Sequence, residues 1–172
     1  MRIGLISDTH LPEAGKALPP QVAKVFRDVD LILHAGDLHT LDVLDALEEM
    51  APVLCARGNG DMWLPEDHRL NDTQVVTVDG LRIGLCHGLP LPEEPPWRTL
   101  EKSMSRDFGG AVDIVVHGDT HVECVEYFKR TLLVNPGSPT LPHNLTGRLG
   151  TVGLLHIVDG KAEVRIVDLR YV

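Results

Sequence analysis

Asp8 and His10 follow an apolar run, Ile3-Gly4-Leu5-Ile6, and stand two positions apart. A carboxylate and an imidazole that close form either an ion pair or two ligands of one metal ion. The same pattern, an apolar run ending in ligand-type residues, recurs down the chain. Residues 30–34 run into Gly36-Asp37, and residues 52–56 run into Gly58-Asn59. Residues 81–86 run into His87-Gly88, and residues 113–117 into Gly118-Asp119-Thr120-His121. Together these segments offer Asp8, His10, Asp37, Asn59, His87, Asp119 and His121 as oxygen or nitrogen donors. That is too many for one tetrahedral site. It suits two divalent cations sharing a bridging carboxylate, roughly 3.5–4 Å apart. No cysteine belongs to the set, which points to a hard or borderline metal rather than a thiolate site.

The elements that must carry these donors are legible in the hydrophobic pattern. Ile3, Leu5 and Ile6 suit a central strand. Pro19-Pro20 opens a helix with an apolar stripe at Val22, Val25, Phe26 and Val29. Thr40 is the expected N-cap of a helix carrying Val43, Leu44 and Leu47. Strand, helix, strand, helix, strand is the signature of a parallel sheet with right-handed crossovers. Residues 74–78 and 81–86 flank Asp79-Gly80, a strong hairpin signal. A Pro-rich loop over residues 89–96 follows, then a helix marked by Trp97, Leu100, Met104 and Phe108, whose stripe reads as core packing. Residues 122–128 and 131–134 make a further strand pair, Asn135-Pro136-Gly137-Ser138-Pro139 a rigid turn, and residues 151–158 and 162–167 a last hairpin. The expectation is one α/β domain over residues 1–172, parallel in its first half and hairpin-rich in its second. Ligands of an open α/β sheet gather beyond the carboxyl ends of its strands, where the donors fall.

Composition narrows the function classes. With 172 residues, 43% hydrophobic and 24% charged, the chain has ordinary globular values. Aromatics at 4% supply no stacking platform for single-stranded nucleic acid. A net charge of -9 argues against broad binding to nucleic acid backbones or anionic membranes, while leaving room for a small phosphate ester in a local pocket. Cys55, Cys86 and Cys124 are widely spaced and odd in number, which suggests free thiols in a reducing, cytoplasmic compartment. The early Asp8 and His10 interrupt any signal-peptide pattern, and no apolar run approaches transmembrane length.

Asp-x-His, Gly-Asp, Gly-Asn, His-Gly and Gly-x-x-His in this order resemble the calcineurin-like metallophosphoesterase superfamily. The Ser-Asp-Thr-His start, Gly-Asn-Gly-Asp and Asn-Pro-Gly-Ser resemble its short bacterial and archaeal phosphodiesterase branch, over essentially the whole chain. The resemblance implies an α/β fold, a four-layer α/β/β/α sandwich of two mixed sheets flanked by helices. It implies that Asp8, His10 and His121 hold one metal, that Asn59 and His87 hold the other, and that Asp37 bridges both. The implied function is metal-dependent hydrolysis of a phosphate ester, most readily a diester, by a hydroxide bridging two divalent metals. Asp37, Asn59 and His87 are then the catalytic core, with Mn²⁺ the first choice of metal and Mg²⁺, Fe²⁺, Ni²⁺ or Zn²⁺ the others. Relatives of this size also raise the expectation of a homo-oligomer.

Two positions depart from the family pattern. Its last motif reads Gly-His-x-His, and here Asp119 takes the place of a histidine ligand to the second metal. A carboxylate there still ligates, as an anionic donor; His117 is the alternative, although its place before the glycine makes it the end of a strand. Larger relatives have Gly-Asn-His, whose histidine helps protonate the leaving group, and here that position is Gly60. His34 reads as a buried, hydrogen-bonded histidine behind the ligands. Asp61 and Arg57 read as loop-fixing residues, Arg57 also as a candidate for a phosphate oxygen. His39, His68, His143 and His156 read as structural or surface residues, with His143 the nearest to the cleft. The rival from another class is a protein-interaction scaffold of the same fold, like the retromer subunit that has lost metal-site histidines. A Rossmann-type nucleotide binder is disfavoured, because no G-x-G-x-x-G follows the first strand.

Overall fold

Successive residues of the first strand, β1 (Arg2–Ile6), face two different cores in alternation. Ile3 and Leu5 join one apolar cluster, and Ile6 joins another. A strand buried on both faces reads as a continuous apolar run, as this one does. The computed structural model describes residues 1–90 and 99–172. In it β1 lies parallel to β2 (Leu31–His34), which lies parallel to β3 (Val53–Ala56). The helices α1 (Pro20–Val25) and α2 (Asp42–Glu48) make the crossovers. A two-residue strand, β4 (Leu70–Asn71), extends the sheet beyond β3.

The second sheet starts with the expected hairpin, β5 (Gln74–Val78) and β6 (Leu81–Leu85). The next helix among the described residues is α3 (Leu100–Phe108). Thr99 caps it by accepting the Lys102 amide, and Gly109 ends it in the left-handed conformation. Then follow β7 (Ile114–Val116), β8 (Cys124–Phe128) and β9 (Thr131–Asn135). Strands β6, β7 and β9 are parallel neighbours, with β5 and β8 antiparallel at the edges. The final hairpin, β10 (Thr151–Val158) and β11 (Lys161–Asp168), returns to the first sheet, where β10 pairs antiparallel with β1. Both sheets are therefore mixed, in the orders β11-β10-β1-β2-β3-β4 and β5-β6-β7-β9-β8.

Three apolar clusters define the layers. Phe26, Val43, Leu44 and Leu47 pack α1 and α2 on the outer face of the first sheet. Ile3, Leu33, Ile83, Ile114 and Val134 fill the space between the sheets. Met104 and Phe108 pack α3 on the outer face of the second. The result is the expected four-layer α/β/β/α sandwich. Each sheet has a glycine under a phenylalanine of its flanking helical layer. A Cβ on Gly84 would sit 2.6 Å from Phe108, so the ring would have to move, and one on Gly4 3.0 Å from Phe26, a tight contact that would press on that ring.

Some local expectations change. The N-cap of α2 is Leu41, which makes no side-chain cap. Thr40 sits one residue earlier, its Oγ1 accepting the Asp42 amide at 3.4 Å. Helix α1 stops at Val25, and Val29 is buried beyond its end. The Pro-rich loop at residues 91–96 and Trp97 lie outside the described residues. Among the described residues no helix is long and apolar enough to cross a membrane.

Candidate metal centre

Five parallel strands, three from one sheet and two from the other, end at the same edge of the sandwich. The loops after β1 and β2 are tied together by amides of Asp8, His10 and Leu11 donating to carbonyls of Gly36, Asp37 and Leu38 at 2.9–3.0 Å. The loops after β6 and β7 are tied by the Gly118 amide on the His87 carbonyl at 2.8 Å. The Asp119 amide then crosses between the sheets to both carboxylate oxygens of Asp8, each at 3.2 Å. All seven sequence-predicted donors converge here.

They form two groups that share Asp37. In the first, single donor atoms of Asp8, His10, Asp37 and His121 all lie within 4.8 Å of one another. His10 Nε2 faces His121 Nε2 at 3.1 Å and Asp37 Oδ2 at 3.4 Å, and His121 Nε2 is 3.5 Å from Asp8 Oδ1. Two ring nitrogens at that separation need a proton, or a cation that both can bind. In the second group His87 Nε2 lies 3.0 Å from Asn59 Oδ1, 3.5 Å from Asp37 Oδ1 and 3.5 Å from Asp119 Oδ1. The Nδ1 proton of His87 goes to the Ala35 carbonyl at 2.7 Å, which leaves Nε2 as the atom presented to the group. The donor set, imidazole and carboxylate with one amide oxygen, fits divalent cations of borderline or hard character.

The backbone is strained where these side chains emerge. Asp8, His10, Asp37, Asp119 and His121 have φ values of 54, 45, 58, 73 and 58°, in the left-handed region. Non-glycine residues are held there at a cost of about 1–3 kcal/mol each, and such strain clusters at functional sites. The support comes from buried polar residues. The Asp61 carboxylate accepts the amides of Asp37, Leu38, His39 and Gly58 at 2.8–3.0 Å, so one side chain shapes the loops after β2 and β3. Arg57 donates to the Asp61 carbonyl at 2.9 Å and fixes that loop from behind. In the Asn135-Pro136-Gly137-Ser138 turn, Ser138 Oγ donates to the Asp8 carbonyl at 2.7 Å and Asn135 Nδ2 to the Gly118 carbonyl at 2.9 Å. That turn holds the donor-bearing loops of both sheets. In sequence it read as a rigid turn and a family motif; that it braces Asp8 and Gly118 through their carbonyls was not legible there.

Charge is unevenly tuned across the group. Burial raises the pKa of Asp8 to about 7. Burial also opposes charge on Asp37, but the hydrogen bond and charge of His87 outweigh it and lower the pKa to about 2. For His87 burial again works against the ion, and Asp37 with Asp8 raises the pKa to about 9. Burial lowers His10 to about 4 and pushes His121 down as well. Both shifts favour the neutral imidazole, the form that can bind a cation.

The remaining histidines separate clearly. His34 is fully buried behind the site, its Nδ1 accepting the Gly36 amide at 3.1 Å and its Nε2 3.3 Å from Thr9 Oγ1. His117 directly follows β7, and burial lowers its pKa to about 4. It lines a hollow with Leu89, Thr120 and Cys124 beside Asp119. His143 pairs with Glu123 at 3.1 Å, and only its amide, on the His121 carbonyl, touches the site. His39, read from sequence as structural or surface, stands at the site instead: its ring centroid is 4.4 Å from that of His10. The one signal for it was its place two residues after Asp37.

A model of the calcineurin-like phosphoesterase superfamily domain matches residues 1–160. A probable metallophosphoesterase of Methanothermobacter thermautotrophicus is 38% identical over 143 residues, covering 83% of this chain and 79% of the relative. Among solved structures, wild-type Vps29 of Entamoeba histolytica complexed with zinc is 26% identical, with a TM-score of 0.69 over 98% of this chain and 99% of that one. A novel archaeal phosphodiesterase is also 26% identical, with a TM-score of 0.68 over 97% of this chain and 100% of that one. Ordered strand-end donors, a four-layer sandwich and a family match over nearly the full length agree: this chain belongs to the calcineurin-like phosphoesterase superfamily.

Proposed function

We propose that this protein is a metal-dependent phosphodiesterase whose site takes two divalent cations, Mn²⁺ first among them. The observation that carries the reading is the division of one carboxylate. Asp37 Oδ2 faces His10, and Asp37 Oδ1 faces His87, so a single side chain belongs to both donor groups. Asp8, His10 and His121 would complete one cation's shell, and Asn59, His87 and Asp119 the other's. When bound, such cations neutralise phosphate charge and make hydroxide accessible near neutral pH.

The chain's own residues do the rest. The Gly60 amide donates to Asp37 Oδ1 at 2.8 Å, which fixes the carboxylate's rotation and so the spacing of the two groups. Asn59 presents its amide oxygen from the first residue of a short 3₁₀ turn, Asn59–Asp61, that Asp61 anchors. The hollow that Asp119 shares with Leu89, Leu100 and Thr120 is the candidate place for the ester's organic group. A diester is favoured because Asp119 adds a carboxylate at the mouth, half exposed, that repels a doubly charged monoester more than a singly charged diester. The archaeal phosphodiesterase of similar fold supports the same choice.

Likeness to Vps29 favours a second reading, a protein-interaction scaffold. The retention of His10, His87 and His121 in one cleft speaks for the enzyme. The test is metal content of the purified and reloaded chain, followed by turnover of bis(4-nitrophenyl) phosphate with and without chelator. Turnover that survives full chelation overturns the proposal.

A further inference from the structure

His39 is a ring with a braced back and a free front. Its Nδ1 lies 2.9 Å from Glu13 Oε2, and a carboxylate at that distance takes the Nδ1 proton. Its amide is held by Asp61 Oδ1 at 3.0 Å, and its backbone sits in the left-handed region, at φ 69°. Edge-on packing against His10 sets the ring's tilt, 68° between the planes. Nε2 is left facing the cleft, and it makes no hydrogen bond to the described residues.

The space that Nε2 occupies is defined by Gly60. A Cβ built on Gly60 would lie 2.3 Å from His39 Nε2 and 3.1 Å from Asp37 Oδ1. Residue 60 can therefore carry no side chain while His39 holds this place. The two positions come from different strand ends, and the imidazole fills over Gly60 what a side chain there would have filled. The nitrogen thus stands over Gly60, on the side of the Asp37 oxygen that faces His87.

We propose that His39, braced by Glu13, is a substrate-contacting residue of this site and hydrogen-bonds a phosphate oxygen from the side over Gly60. The inference rests on the phosphoesterase reading above. With Nδ1 held by Glu13, Nε2 accepts from a P–OH of inorganic phosphate, or as an imidazolium donates to an oxygen of a diester, which carries no proton of its own. No Lys or Arg among the described residues holds a corresponding place against Asp37, which makes this contact a large part of what the chain itself offers the anion.

The test uses the full chain loaded with Mn²⁺ and inorganic phosphate as the probe. Calorimetry should show phosphate affinity falling about tenfold in His39→Ala, the loss of one charge-assisted hydrogen bond, with metal content unchanged. In zinc-loaded protein the Nε2 resonance of His39 should shift on adding phosphate, a readout that a purely structural histidine would not give. Unchanged phosphate affinity in His39→Ala with its metals retained overturns the inference. So does loss of metal from His39→Ala, which would make the ring part of the metal support. A wild-type chain that binds no metal instead overturns the phosphoesterase reading, and this inference with it.

Discussion

Asp37 Oδ1 and His87 Nε2 lie 3.5 Å apart although they come from different sheets of the sandwich. The pair is an ion pair in the metal-free protein, with Asp37 lowered to about 2 and His87 raised to about 9. A cation at this place must displace the His87 proton and keep the carboxylate. The geometry that holds this ion pair is also the one that would set both groups against a shared cation.

Asp37→Ala should lose more than Asn59→Ala. The first removes a donor from both groups, the second from one. Turnover should fall well beyond about 100-fold for Asp37→Ala, past the range seen for outer partners of a metal site. Elemental analysis should show both metals weakened in Asp37→Ala and one largely retained in Asn59→Ala. Equal metal loss in the two variants would contradict a shared carboxylate.

Metal binding should release protons in a defined window. Asp8 near 7 and His87 near 9 hold protons in the metal-free chain at neutral pH, whereas His10, near 4, does not. A cation competes with those protons, so apparent Mn²⁺ affinity should climb as pH rises from about 6 to 9 and level off above. Titration in weakly buffered solution should detect the released protons. A pH-independent affinity across that window would show that neither group gives up a proton to the metal.

Asp119→His tests the charge at the second group. Asp8, Asp37 and Asp119 bring three negative charges to two divalent cations, and histidine at 119 removes one. The more positive site should tighten phosphate inhibition and lower the acidic limb of the pH–rate profile. Asp119 sits on an exposed loop edge, so folding should be unaffected; thermal unfolding checks this. Unchanged phosphate affinity with two metals bound would mean that Asp119 is not a ligand.

Asp61→Ala should damage the fold and the site together. Its buried carboxylate serves four amides from two loops, and their loss leaves donors without partners. The expected cost is about 3–5 kcal/mol of unfolding free energy, measured by denaturant titration. Metal affinity should drop as well, although Asp61 is outside both donor groups. A stable variant with normal metal affinity would show that the loops keep their shape unaided.

Arg69→Ala should cost less, about 2 kcal/mol. The guanidinium is buried and bonds Asp67, Asp45 and Glu48 at 2.7–2.8 Å, but the last two partners face water and recover hydration. Its hydrogen bonds to Asp67 lower that carboxyl to about 2. The folded-state pKa is depressed, so this stabilisation is present above about 4 and fades as pH falls toward 2. The difference in stability between wild type and variant should shrink over that acid range.

Most strands and helices, and the seven donor-type residues that meet at the strand ends, were legible in the sequence, because each rests on local signals. Ile3-Gly4-Leu5-Ile6 announces a strand by its run, Asp79-Gly80 a hairpin by its turn, and Asp8-x-His10 a ligand pair by chemistry and spacing. What the tertiary structure alone decided is which surfaces meet. The split of the ligand-bearing strands between two sheets, and the return of β10 to β1, depend on pairings between residues far apart in the chain. The two-residue β4 is too short to show a period. Asp61 and Ser138 support the site through backbone groups of distant loops, and a backbone amide carries no sequence signature. His39 is the sharpest case: its position in the chain says only that it follows Asp37. Whether its ring points to solvent or over Gly60 is set by Asp61, Glu13 and His10, which the fold alone brings around it.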